Sequence, residues 1–337
     1  MRFSLFFDMR APELGTSPDR LYQAAVDMAE WADRLGFWKV RISEHHGADD
    51  GYCPSPAVLG AAVAARTRNV RIHWSALIAP LHHPIRIAED LAVLDLISNG
   101  RLDVTVAGGY RSEEFPMFGA DPHARGKSVE ELVAVLKEAW TGEPFDFRGQ
   151  KVVVRPTPVQ KPRPTILLGG STEPAARRAA RIADGFVPGS ERDPGHLHRV
   201  FAEERKRLGM EVPPQQPPGA GWFVHISEDP EAAWTKIVPH AWHETNSYAS
   251  WKDSGLPSGH STWQRVADDA ALRATGRYRV MTPDQATEFA LSLKPGTNLN
   301  FHPLMGGLDP SAAWSSLKLF EHKVLPRLRD AGRLEPA

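Results

Sequence analysis

Strand-like and helix-like patterns alternate from Phe3 to Leu208, and that rhythm leaves few folds open to the chain. Phe3 to Phe7 reads as a buried strand. Ser17-Pro18 then opens a helix, with serine as N-cap and proline in the first turn, where its missing N–H is no loss. Leu21, Ala25, Met28, Ala32 and Leu35 recur on one face, and Gly36 stops the helix. Trp38 to Ser43 is a second strand, followed by a helix near Pro56 to Arg66. Val70 to Ile78 is a third, followed by a helix from Pro84 that stops at Asn99-Gly100. Leu102 to Val106, Thr165 to Leu168 and Phe186-Val187 continue the series. The helices between and after them carry Val129, Leu132, Val133, Leu136 and Trp140, then run from Glu173, then from near Pro194 to Leu208.

Strands separated by helices run parallel, as βαβ units. An open doubly wound sheet and a closed eight-fold barrel share that rhythm. The open sheet that binds dinucleotides carries a glycine fingerprint after its first strand. Here Asp8-Met9-Arg10-Ala11-Pro12 follows instead. The expectation is therefore an α/β fold, a (β/α)8 TIM barrel forming a single domain over 1–337 with a variable insertion at about 231–280. The second half is less regular. Val212 to Pro218 reads as a loop, Gly221 to Ile226 as the seventh strand, and Asn298 to Leu304 as the eighth. Helices are expected over Pro283 to Leu293 and Asp309 to Leu325. Glu231 to Tyr278 reads as helices plus the insertion.

A chain of 337 residues, 42% of them hydrophobic, can bury a core of that size. Its formal net charge of -1 gives no global field toward nucleic acid or a membrane surface. The single cysteine, Cys53, has no intramolecular disulfide partner, and a reducing cytoplasm is its expected setting. No apolar run reaches bilayer-spanning length, and the strand pattern from Arg2 leaves no room for a signal peptide.

In a barrel of this kind, chemistry sits at the C-terminal ends of the strands. Those ends are distinctive here: Glu44-His45-His46, His82-His83-Pro84, Gly108-Gly109-Tyr110 and Gly169-Gly170-Ser171-Thr172. Successive side chains of an extended segment point to opposite faces. If Trp38, Val40 and Ile42 lie under the helices, then Arg41, Ser43 and His45 face the interior and its mouth. A buried Arg41 needs a partner, and Asp103 is the candidate. His45 is open between proton transfer and a structural hydrogen bond. His82-His83-Pro84 reads either as a loop before a proline-started helix or as placing an imidazole, His83, at the rim. His45 and His46 diverge, and neither HExxH nor CxxC spacing occurs, so no metal site is expected. Gly169 to Thr172 leads from a strand into a helix, where amides and hydroxyls can hold a phosphate. The same residues also suit a turn with an N-cap.

Taken together, these segments resemble the bacterial luciferase-like, flavin-dependent monooxygenases. The resemblance rests on Glu44-His45-His46 and on Leu81-His82-His83-Pro84 through Asp95-Leu96-Ile97-Ser98-Asn99-Gly100-Arg101. Gly109-Tyr110-Arg111-Ser112-Glu113-Glu114-Phe115 with Phe118-Gly119, Gly169-Gly170-Ser171 with Ala183-Asp184-Gly185, and His302 to Leu308 complete it.

The resemblance implies FMN at the barrel mouth, with His45 as catalytic base. Ser75-Ala76 matches a non-prolyl cis peptide under the flavin ring. Gly169, Gly170, Ser171 and Thr172 fall at the phosphate, with Arg125 near a phosphate-contacting arginine. Ala107, Gly108, Gly109 and Tyr110 complete the expected cofactor set. Ala107 stands where luciferase has a reactive cysteine, and Gly108 where many members have arginine, so one charge on the phosphate is missing. The implied activity is oxidation of a small organic substrate by dioxygen, using reduced FMN from a separate flavin reductase, in a homodimer. A deazaflavin-dependent dehydrogenase or reductase, a flavin-binding protein with little catalysis, and a sugar-phosphate isomerase are the alternatives. Trp234, Trp242, Trp251 and Trp263 either shape the substrate pocket or a lid, or pack the insertion against the barrel.

Overall fold

The computed structural model describes residues 1–189, 193, 195–215, 219–256 and 262–335. Twelve strands occur among them: β1 Arg2–Phe7, β2 Lys39–Ile42, β3 Arg71–Ile78, β4 Leu102–Ala107, β5 Phe145–Phe147, β6 Gln150–Val152, β7 Thr165–Gly170, β8 Gly185–Pro188, β9 Gly219–Ala220, β10 Phe223–Ile226, β11 Tyr278–Met281 and β12 Asn298–Phe301. Eight of them make one sheet in the order β8-β7-β4-β3-β2-β1-β12-β9. Every pairing in it is parallel, as the helical crossovers require. Those crossovers are Pro18–Arg34, Pro56–Arg66, Pro84–Ser98, Arg125–Ala139 and Glu173–Ile182.

The sheet curls. Phe6 of β1, Arg41 of β2, Thr105 of β4, Leu168 of β7 and Val187 of β8 all face one cavity. Among the described residues no ladder joins β8 to β9, so the strands form a curled wall whose two edges are not hydrogen-bonded together. On its outer face Val40, Ile42, Ile72, Trp74, Val104 and Val106 pack under the helices, each at most 3% exposed. The alternation read from β2 thus decides which side chains enter the cavity.

The second half departs from the sequence reading. Gly219-Ala220 pairs with β12 in the main sheet, while Phe223–Ile226 leaves it to pair with β11. The expected seventh strand, Gly221 to Ile226, is therefore present as Phe223–Ile226 but outside the main sheet, where the preceding Gly219-Ala220 stands instead. β11 falls at the end of the segment read as helices plus an insertion and before the helix expected from Pro283, and its partner is distant in sequence, which local periodicity cannot show. The antiparallel β5–β6 hairpin, closed by Arg148-Gly149, was likewise not anticipated. The segment expected as an insertion begins as one helix, Pro230–Ser254, with Pro239 inside it. The last helix is broken into Pro310–Leu319, a wide turn Phe320–Val324, and Leu325–Asp330. Pro326 lacks the N–H that a continuous ladder would need. The expected helix start at Pro194 and the loop residues 216–218 lie outside the described residues; the helix is present over His196–Arg207. No described helix is long and apolar enough to cross a membrane.

The bottom of the wall depends on Arg101. Its guanidinium donates to Ser98 O at 2.6 Å, Val70 O at 2.7 Å, Ala64 O at 3.1 Å, Thr67 O at 3.1 Å and Thr67 Oγ1 at 2.8 Å. Carbonyls at the C-terminal ends of two helices and the entry to β3 are satisfied by one side chain, a task helix ends always pose. Arg101→Ala leaves these acceptors buried without donors and should cost about 3 kcal/mol. Urea denaturation followed by circular dichroism measures it, and a midpoint unchanged from wild type would refute the role.

Candidate functional site

The cavity inside the curl has a volume of about 850 Å³, within the range of small-molecule sites. His45, Ser75, Ala76, Ala107, Gly108, Gly109, Tyr110, Arg125, Gly169, Gly170, Ser171 and Thr172 all line it. These come from the C-terminal ends of β2, β3, β4 and β7 and the loops after them.

One wall is built around His45. Its Nδ1 lies 2.7 Å from Glu114 Oε1. That oxygen also accepts the His46 amide at 2.9 Å, so it is an acceptor and Nδ1 carries the proton. Nε2 is left as the bare nitrogen, facing the Tyr110 hydroxyl at 3.4 Å. Burial lowers the pKa of His45, and the Glu114 hydrogen bond opposes that shift without cancelling it. The imidazole is therefore a neutral base at pH 7, oriented by a carboxylate. Tyr52, Tyr110 and Trp251 surround the ring at centroid distances of 4.8, 5.4 and 4.8 Å.

His46 points the other way, as alternation requires. Its Nε2 is 2.8 Å from Glu44 Oε1, and its ring packs on Phe118. Glu44 Oε1 also takes the His82 Nε2 at 2.6 Å, while Oε2 accepts the Trp74 indole at 3.1 Å and the Ile78 amide at 3.0 Å. Burial pushes the Glu44 carboxyl up, but the His46 and His82 hydrogen bonds outweigh it and its pKa is lowered. His83 is exposed beside Phe147, away from the cavity, because it caps the helix Pro84–Ser98 rather than ending a strand.

The opposite wall is polar and cationic. Ser171 and Thr172 precede the helix Glu173–Ile182, with Thr172 Oγ1 accepting the Ala175 amide. Arg125 and Arg178 line the same end. Arg178 is held by Glu130 at 2.8 Å and lies against Gly126. A Cβ at residue 126 would come within 2.5 Å of its Nη2, so glycine there makes room for the guanidinium. Ser75-Ala76 is a cis peptide, with a register shift beside it in the β3–β4 ladder. Gly109 has φ +74° and sits where a Cβ would meet Ile78 Cγ2 at 2.7 Å, so the turn after β4 requires glycine.

Three features were not legible in the sequence. Glu114 pairs with a residue sixty-nine positions away, and its neighbour Glu113 offered the same chemistry. Arg178 looked like one charge on an Arg-rich helix face. Phe6, Trp222 and Tyr248 bring aromatic walls from separate stretches of chain. The expected Arg41–Asp103 pair is corrected. Asp103 binds Arg71, through contacts of 2.6 and 2.9 Å, because β3 is its hydrogen-bonded neighbour and β2 lies one strand further. Arg41 instead stacks on Phe6 at 4.0 Å. Of the tryptophans at 234, 242, 251 and 263, none lines the cavity. Trp234 is buried in a separate apolar cluster and donates to Asp269, and Trp251 and Trp263 pack against the main core.

Comparison with known proteins follows the same lines. The sequence model described as luciferase-like monooxygenase matches residues 1–288. The oxygenase component of the flavin-dependent trigonelline monooxygenase of Acinetobacter baylyi is 33% identical over 173 residues, 49% of this chain and 48% of that protein, so the chain spans about half the length of that relative. The FMNH2-dependent dimethylsulfone monooxygenase of Pseudomonas putida is 29% identical over 289 residues, 79% of this chain and 78% of that protein. The oxygenating constituent of 3,6-diketocamphane monooxygenase, from the CAM plasmid of Pseudomonas putida and in complex with FMN, superposes with a TM-score of 0.74 at 21% identity, over 97% of this chain and 98% of that one. At that identity the likeness is one of fold.

The geometry at His45 sets a titration. An imidazole whose folded pKa lies below its ordinary 6.5 contributes stability above that value and loses it as the pH falls. The His45 ring should titrate below 6.5 in an NMR pH series, and Glu114→Gln should lower the midpoint further by removing the charge that supports protonation. A midpoint at or above 6.5 in the wild type would show that burial does not dominate.

Proposed function

Because the chain belongs to the luciferase-like monooxygenase family, we propose that it is the oxygenase of a two-component pair, which takes reduced FMN from a separate flavin reductase and uses dioxygen to oxidise a small organic substrate. The observation that carries this reading is one cavity with a carboxylate-oriented neutral imidazole on one wall and a cationic, glycine-lined helix entrance on the other. FMN-dependent relatives support it, and we extend their cofactor to this chain.

The residues present fit the cofactor. Ser171 and Thr172 hydroxyls, the backbone around Gly169-Gly170, Arg125 and Arg178 would hold its phosphate. Arg178 thus makes up for the arginine absent at Gly108. Ser75-Ala76 and Ala107 to Tyr110 would flank the ring system. Bound reduced FMN supplies the electrons that activate dioxygen. His45 Nε2 accepts or returns a proton at the reacting centre, Glu114 holds the ring in its tautomer, and Tyr52, Tyr110 and Trp251 exclude water from it. We read the curled sheet as the wall of a closed (β/α)8 barrel in a single domain, with 231–280 as its insertion. A homodimer in the cytoplasm completes the reading; it suits the family and the buried thiol of Cys53.

Anaerobic calorimetry with reduced FMN should show binding, and Arg178→Ala should weaken it about 10- to 100-fold. Tight binding of a deazaflavin with none of reduced FMN would favour a hydride-transferring dehydrogenase instead.

His45→Ala should lower the rate of substrate oxidation by roughly 10² to 10⁴ while leaving flavin affinity within about a few-fold. His46→Ala should act mainly on thermal stability, since its ring supports Glu44. Stopped-flow kinetics and thermal melts on both variants separate the two. Normal turnover in His45→Ala with a loss in His46→Ala would exchange their roles.

A further inference from the structure

The inward face of the sheet carries more positive charge than negative. Register places Lys39 beside Arg71, and Phe6, Arg41, His73 and Asp103 in one row across β1 to β4. Asp103 is taken by Arg71. Lys39 is pushed down by burial to about 8, with Asp103 opposing, and its Nζ sits 3.5 Å from His73 Nδ1. His73 in turn bonds Thr105 Oγ1 at 2.8 Å.

Arg41 is left over. Its guanidinium lies 4.0 Å from the Phe6 ring centroid and 5.8 Å from that of Trp222. Among the described residues no carboxylate or hydrogen-bond acceptor pairs directly with it; burial lowers its pKa, and Tyr52, Tyr248 and Asp8 oppose that shift without cancelling it. Yet it lines the cavity. The cavity carboxylate nearest in sequence, Glu44, already has both oxygens engaged. Asp8, which acts on it from a distance, is committed to Arg10 and His302, and a largely enclosed cation without a directly paired counter-charge calls for an anion from outside the chain. This one is not served by the phosphate end. β2 and β7 are three steps apart in the sheet, roughly 14 Å along the wall.

We propose that Arg41 anchors a carboxylate of the substrate, so that the cavity selects a planar aromatic acid. A guanidinium matches a carboxylate with two parallel hydrogen bonds. The planar body is set by the surrounding walls, to which Phe6, Tyr52, Trp222 and Tyr248 contribute aromatic surface. Calling this ligand the substrate rests on the oxygenase reading; the anchor itself does not.

Benzoate and its uncharged analogue benzamide are the probes, titrated into the full-length protein by calorimetry. Wild type should bind benzoate about tenfold or more tightly than benzamide. Arg41→Gln should abolish the preference, Arg41→Lys should restore part of it, and Arg125→Gln should retain it. Equal affinities in wild type, no benzoate binding at millimolar concentration, a preference that survives Arg41→Gln, or one lost in Arg125→Gln would each overturn the proposal. If Arg41→Gln does not fold, the benzoate–benzamide comparison in wild type and Arg125→Gln still decides. Reduced FMN is titrated separately into each protein. Failure of FMN to bind would count against the oxygenase reading and leave the carboxylate anchor standing.

Discussion

The arrangement at the mouth depends on one buried carboxylate. Glu44 receives two imidazoles, an indole and a backbone amide, drawn from the end of β2, from within β3 and from the segment after it. A charge so enclosed is tolerable only because every lone-pair direction has a donor. Those donors fix the path of the chain through residues 44 to 46. With Glu44 and His46 tied on one side, His45 has only the cavity side left. The direction of the candidate base is thus set by a carboxylate whose own oxygens are taken by protein donors.

Around that node, charge is distributed by wall. Glu114 answers His45, Glu130 answers Arg178, and Asp103 answers Arg71. The carboxylates near the cavity are therefore committed to protein partners, and the interior is left with cationic character at two separate places. This pattern explains why a chain of nearly zero net charge can hold a locally positive interior. Net charge gives little long-range steering, so these cations act at short range.

Much of this was legible in the sequence. Proline at helix starts and Asn99-Gly100 at a helix stop set the βα rhythm. Alternation along 38–43 sent Arg41 and His45 inward and Val40 and Ile42 outward. The junction at 169–172 announced a helix entrance. What stayed hidden was pairing between distant segments. Nothing local distinguishes Glu114 from Glu113, or Arg178 from Arg177 and Arg181 on the same helix. Nor does the sequence near Phe223 say that it leaves the main sheet to meet Tyr278. The tryptophans between 234 and 263 were conspicuous, yet bulk alone does not say which way a ring turns. Trp222 and Tyr248 took the cavity positions instead.

The two ends of the cavity are contributed by different lengths of chain. The cationic helix entrance comes from residues between 105 and 189, and the aromatic end from residues 6 to 52 together with 222 and 248. Trp222 and Tyr248 also belong to the least regular part of the molecule. Mutational drift there can reshape what is accepted without disturbing the cationic entrance, and a descendant can inherit one half of the cavity intact while exploring the other. The two ends of the cavity are thus encoded in largely separate stretches of the chain, which can change independently.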